Sequence, residues 1–192
     1  MKKILLVLNI PLMLLGCAAI KNNVTFPEPK DGERARIRVI IPKVFNDYRG
    51  STGYPNSQCL PKNLSGGGHI ASSYLFGFEK NLNGQKIGIP TTTFSEKKGF
   101  VAAEAYLSAN RPVIFTFLMP AGASTMSTGT TSYTRYYQGC MAKVGFTPRV
   151  NADYELIFPS SGSCQFELSR LIVDKDTVLA RPITTDDVRD CD

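Results

Sequence analysis

Four kinds of side chain here could do chemistry: one imidazole, a set of cysteines, paired carboxylates near the C-terminus, and tyrosines beside an arginine. A nucleophilic hydrolase needs a base hydrogen-bonded to its serine or cysteine, and His69 is the only histidine. No Gly-x-Ser-x-Gly elbow precedes a helical pattern, and Ser160 to Cys164 reads as a hairpin turn. Zinc would need His69 plus cysteines or carboxylates at ligand spacing, and no Cys-x-x-Cys occurs. Gly66 to Gly68 lack the Lys-Ser/Thr and the helix of a phosphate loop, so they read as a flexible turn. Asp186, Asp187, Asp190 and Asp192 sit in a polar C-terminal stretch, where solvating it is a simpler role than catalysis or calcium binding. The expectation is no catalytic residue, no metal and no cofactor. Tyr133, Arg135, Tyr136 and Tyr137 end the Gly/Ser/Thr-rich stretch 121–139, which reads as a long loop. Tyr and Arg anchor interfaces and tyrosines stack on sugars, so these four are the candidate contact surface.

The elements that must position these residues are short strands. "RARIRVII" alternates, with Ala35, Ile37, Val39 and Ile41 facing one way. Arg34, Arg36 and Arg38 face the other, and read as a solvated strand face. "PVIFTFLMP" puts Val113, Phe115 and Phe117 on one face; "CMAKVGF" does the same for Cys140, Ala142, Val144 and Phe146. "DYELIF" aligns Tyr154, Leu156 and Phe158, and "SCQFELSRLIV" aligns Cys164, Phe166 and Leu168. Residues 96–107 allow a short helix, but the alternation of Val101, Ala103, Ala105 and Leu107 favours a strand. Asn83-Gly84 suits a type I′ hairpin turn. Frequent turns without a sustained helical period predict an all-β fold, an antiparallel β-sandwich of immunoglobulin-like or transthyretin-like type. It spans residues 34–173, after a polar tether (17–33) and before a polar tail (174–192).

The leader settles the compartment expected. Lys2 and Lys3 precede an apolar run from Ile4 to Leu15. As a helix that run spans about 18 Å, too short for a hydrocarbon core of about 30 Å, so it reads as a signal peptide. Leu14-Leu15-Gly16-Cys17 resembles the bacterial lipobox. The resemblance implies cleavage after residue 16, a diacylglycerol on the Cys17 sulfur and an acyl chain on its amine, together a stable anchor in membrane lipid. Ala18, where inner-membrane lipoproteins carry aspartate, points by the same resemblance to the outer membrane. The net charge falls from +6 to +4 once Lys2 and Lys3 leave. Such mild basicity without runs argues against a nucleic-acid partner.

Cys59, Cys140, Cys164 and Cys191 then remain, and in an exported chain they suggest two disulfides with three possible connectivities. Cys140 and Cys164 share the inward parity of their strands. In one flat meander they would lie roughly 10 Å apart, beyond the ~7 Å a disulfide spans. Pairing them requires residues 147–152 to cross between sheets. That crossing is the expectation, and Cys59–Cys191 follows by elimination. The pattern Cys140, Phe146, Pro148, Asp153-Tyr154-Glu155, Cys164, with the earlier Tyr54-Pro55-x-Ser57-x-Cys59, resembles a group of uncharacterised bacterial envelope lipoproteins. The resemblance implies an Ig-like or transthyretin-like β-fold and no activity.

The functional expectation is a membrane-anchored, non-catalytic envelope module that docks a partner protein or supports the envelope. A glycan- or small-ligand-binding protein of the envelope is the alternative. A hydrolase inhibitor using 121–139 as a wedge is the weaker one.

Overall fold

The computed structural model describes residues 24–43, 50–73, 81–158 and 165–192. Among these residues it is all β: β1 (Arg34–Pro42), β2 (Gly50–Pro55), β3 (Gly68–Ser72), β4 (Phe100–Ser108), β5 (Val113–Met119), β6 (Gly122–Thr128), β7 (Thr131–Tyr137), β8 (Cys140–Phe146), β9 (Asp153–Ile157), β10 (Glu167–Asp174) and β11 (Thr177–Pro182). Two sheets pack as a sandwich. One runs β11-β10-β9-β1-β4 and the other β3-β2-β5-β8, while β6 and β7 form a separate two-stranded hairpin. The pairing is antiparallel except for β1 with β9, which run parallel.

The inward residues are those the alternation selects. Ile37, Val39 and Ile41 of β1 meet Phe115 and Phe117 of β5 and Val144 and Phe146 of β8 in one buried cluster. Phe117 stacks on Phe158 across the sandwich with ring centroids 4.6 Å apart. Burying each such side chain stabilises the fold by about 1.5–3 kcal/mol. The strand over residues 100–108 replaces any helix there because Ala103, Ala105 and Leu107 line this core. Between β8 and β9 the chain crosses from one sheet to the other, the crossing expected of residues 147–152.

The arginine row is not the uniformly solvated face expected: it is progressively covered from Arg34 to Arg38. Arg38 is 3% exposed, because residues 85–92 lie over the outer face of the five-stranded sheet. Register places Arg38 opposite Glu104 on β4 and Glu155 on β9. It bonds both carboxylates and donates to the carbonyls of Ile89 and Pro90. Glu104 accepts from Ile87 N at 2.6 Å, and Thr92 Oγ1 donates to Glu155 at 2.6 Å. One residue-pair along, Arg36 grips Asp153 through Nε and Nη2 and reaches the carbonyls of Ile87 and Gly88. The hydrogen bond to Asp153 raises the Arg36 pKa against the opposing effect of burial. The outward residues of β1 thus fasten a distant loop. The Asp-Tyr-Glu run has structural work at every position, since Tyr154 Oη also accepts from Arg149 N at 2.9 Å.

Three further expectations change. The segment read as a tether is docked from Val24 onward: Phe26 is buried and stacks on Phe115, and Thr25 bridges His69. The segment read as a polar tail holds a strand, β11, paired to β10. Asn83-Gly84 is a turn in which only Gly84 has positive φ, closed by Gln85 N donating to Leu82 O. It leads into the covering segment, with no strand directly after it, and this φ pattern fits type II rather than type I′.

Candidate functional site

The outer face of the four-stranded sheet divides into two halves. Tyr54, Ile114 and Gly145 lie toward one end, Leu118 and Met141 toward the other, with Thr52 and Thr116 between. Residues 186–191 form an arm over the first half. Asp186 N donates to Gly145 O, Leu60 N to Arg189 O and Cys191 N to Leu60 O. Val188 packs with Tyr54, Leu60 and Ile114, which is possible because residue 145 carries no side chain: a Cβ there would stand 2.9 Å from Val188 Cγ2. Cys59–Cys191 locks the arm, and Lys143 Nζ meets Asp190 Oδ1 at 2.6 Å. Asp190 is therefore part of a strap and not of a mobile tail.

The second half is an open groove of about 480 Å³. Thr52, Thr116 and His69 form its floor, the glycine run one wall, and Val24, Leu64, Leu118 and Met141 its rim. The glycines are there for close approach. A Cβ on Gly67 would overlap the Tyr54 ring, and one on Gly68 would overlap the Thr25 carbonyl. Burial pushes the Tyr54 hydroxyl above its ordinary pKa of 10.0, against a smaller opposite pull from the neighbouring Thr116 hydroxyl. His69 Nδ1 lies 3.3 Å from Thr52 Oγ1. The described lining suits an uncharged or apolar group. Among the described residues no three His, Cys, Asp or Glu side chains gather as a metal site.

The candidate contact residues stand at the end of this face. Residues 121–139 are not a loop but mainly the β6–β7 hairpin, which joins β5 to β8. Its two-residue turn has Gly129 at φ 67 and Thr130 outside the positive region, as a type II′ turn requires. Thr125 and Thr134 hydroxyls bond across the strands at 3.1 Å. Tyr133 and Tyr136 are 66% and 80% exposed. Three residues apart on one strand, they point to opposite faces of the ribbon, so they do not make a single patch, and neither lines the groove. Arg135 and Tyr137 lie on the same strand. The groove itself was not anticipated: the signal available was the spacing of Leu118 and Met141 as outward apolar residues on strands whose other face is core.

Cys59 and Cys191 are bonded to each other with Cα atoms 5.0 Å apart. Cys140 is also in a disulfide. Cys164, its expected partner, and Cys17 lie outside the described residues, as does the whole leader. Among the described residues no helix is long and apolar enough to cross a membrane. No protein-family model matches the chain, and no curated protein matches it.

Proposed function

We propose that this chain is a bacterial envelope lipoprotein, anchored through acyl chains on Cys17, that works as a non-catalytic interaction or structural module, at the outer membrane by the reading of Ala18. The observation that carries the interaction role is the β6–β7 hairpin. It stands apart from both sheets and holds two tyrosines largely in water. Nothing in the sandwich needs those rings there, whereas a partner's surface would use them as anchors. The export half of the reading draws support from the Cys59–Cys191 bond, which belongs to an oxidising compartment. The partner is an envelope protein. A glycan or small ligand in the groove is the second reading, favoured by the hydroxyls of Thr52 and Thr116 on its floor. It ranks below the first because the exposed tyrosines lie outside the groove.

The test is the mass of the mature N-terminal peptide after detergent extraction from cells. A peptide beginning at Cys17 with acyl mass, lost together with membrane retention in Cys17→Ala, is the expected result. A mature chain cut elsewhere and carrying no acyl mass would end the anchor reading.

A further inference from the structure

Four of the eight exposed large hydrophobic side chains among the described residues line one groove: Val24, Leu64, Leu118 and Met141, 43–52% exposed. Contiguous apolar exposure of this kind marks a docking surface. The described lining fits an apolar, weakly polar medium, since none of its residues carries a carboxylate, ammonium or guanidinium. The strand and hairpin beside it are equally poor in charge: between Arg111 and Lys143 the only charged residue is Arg135.

The position of the N-terminal segment says what covers this face. Val24 is on the groove rim, held there by His69 N donating to its carbonyl at 2.7 Å. Only residues 18–23 separate it from Cys17, a span of at most about 25 Å when fully extended. The chain therefore leaves the domain toward its lipid from the rim of its own apolar groove. We propose that this face docks on the bilayer that holds the anchor, with Val24, Leu64, Leu118 and Met141 in the interfacial layer. The proposal rests on lipidation of Cys17. The acyl chains supply the affinity, and the rim fixes the orientation, turning the β10 side of the sandwich away from the membrane.

The sequence contains no tryptophan, so one introduced indole is a clean reporter. The full-length protein would be purified from membranes as Leu118→Trp, Met141→Trp or Val173→Trp and reconstituted into phosphatidylcholine vesicles containing a brominated phospholipid. Val173 is 58% exposed on the other sheet and serves as the distal site. The acyl mass on each N-terminal peptide is measured first. The expected result is a blue shift and loss of emission for Leu118→Trp and Met141→Trp, with Val173→Trp unaffected. Unquenched emission from all three acylated variants would overturn the proposal, and would leave the groove to a soluble ligand or protein. Quenching of Val173→Trp alone would overturn it by reversing the orientation. An unmodified N-terminal mass would remove the anchor reading, and the bilayer proposal with it.

Discussion

Oε1 of Glu104 accepts from both Nε and Nη2 of Arg38, at 3.0 and 2.7 Å, with neither side chain more than 6% exposed. Glu155 shares the same guanidinium from the opposite strand at 3.1 Å. Removing one partner of a buried pair leaves charge without compensation. Arg38→Ala is expected to cost about 3–5 kcal/mol in urea unfolding and to expose the amides of Ile87 and Ile89 to hydrogen exchange. Arg34, in the same row, sits 5.4 Å over the Tyr106 ring at the surface, and Arg34→Ala should cost about 1 kcal/mol or less. Equal costs would contradict the clamp.

The contrast between these arginines shows what periodicity reveals and what it does not. Alternation identifies Ile37, Val39 and Ile41 as core, and it separates them correctly from Arg34, Arg36 and Arg38. It cannot say that residues 85–92, some fifty positions away, will cover the second face. The crossing between β8 and β9 is present as expected, while the Cys140–Cys164 bond from which it was argued involves a residue outside the described ones. The hairpin stayed hidden because Gly, Ser and Thr make no apolar pattern; its order comes from cross-strand bonds. Cysteine pairing indicates that Cys191 pins the C-terminal segment, but the polar composition of the arm matches that of a solvated tail and does not show the Val188 packing, the Lys143–Asp190 pair or the backbone bonds that lay it over the sheet.

The arm gives a second prediction. Cys59 and Cys191 are 132 residues apart, so opening their bond releases a long loop. The double Cys59→Ser, Cys191→Ser variant should lose about 2–4 kcal/mol. Exchange protection should fall first at the amides of Leu60, Asp186 and Cys191, which bridge arm and domain. Protection retained at all three would mean the strap holds without its disulfide.

Glycine positions offer a third. A Cβ on Gly68 would overlap the Thr25 carbonyl and stand 2.6 Å from the Phe26 nitrogen, where backbone cannot yield cheaply. Gly68→Ala should cost about 1–3 kcal/mol in thermal or urea unfolding and loosen Phe26 from Phe115. Gly66 has φ +78 and open space around it. Gly66→Ala should cost only about 1 kcal/mol, from the backbone conformation alone.

Tyr54 supplies a pH dependence. Its folded-state pKa lies above the ordinary 10.0 because burial disfavours the phenolate. The folded state therefore holds that proton more tightly than the unfolded chain. The resulting stability is fully present below pH 10.0 and is lost as pH rises through the folded value. Tyr54→Phe, which keeps the ring over Gly67, should change stability at neutral pH by about 1 kcal/mol or less. It should also flatten the alkaline fall in melting temperature. An alkaline limb identical to the parent's would rule out Tyr54 as its source.

The central claim is that an anchored, non-catalytic domain reaches a partner through the β6–β7 hairpin. The most direct test places a photo-cross-linking amino acid at position 136 in the full-length protein and irradiates intact cells, with Cys17→Ala as control. The account predicts one dominant protein adduct that disappears when the anchor is removed. No protein adduct, or one unchanged by Cys17→Ala, would contradict it.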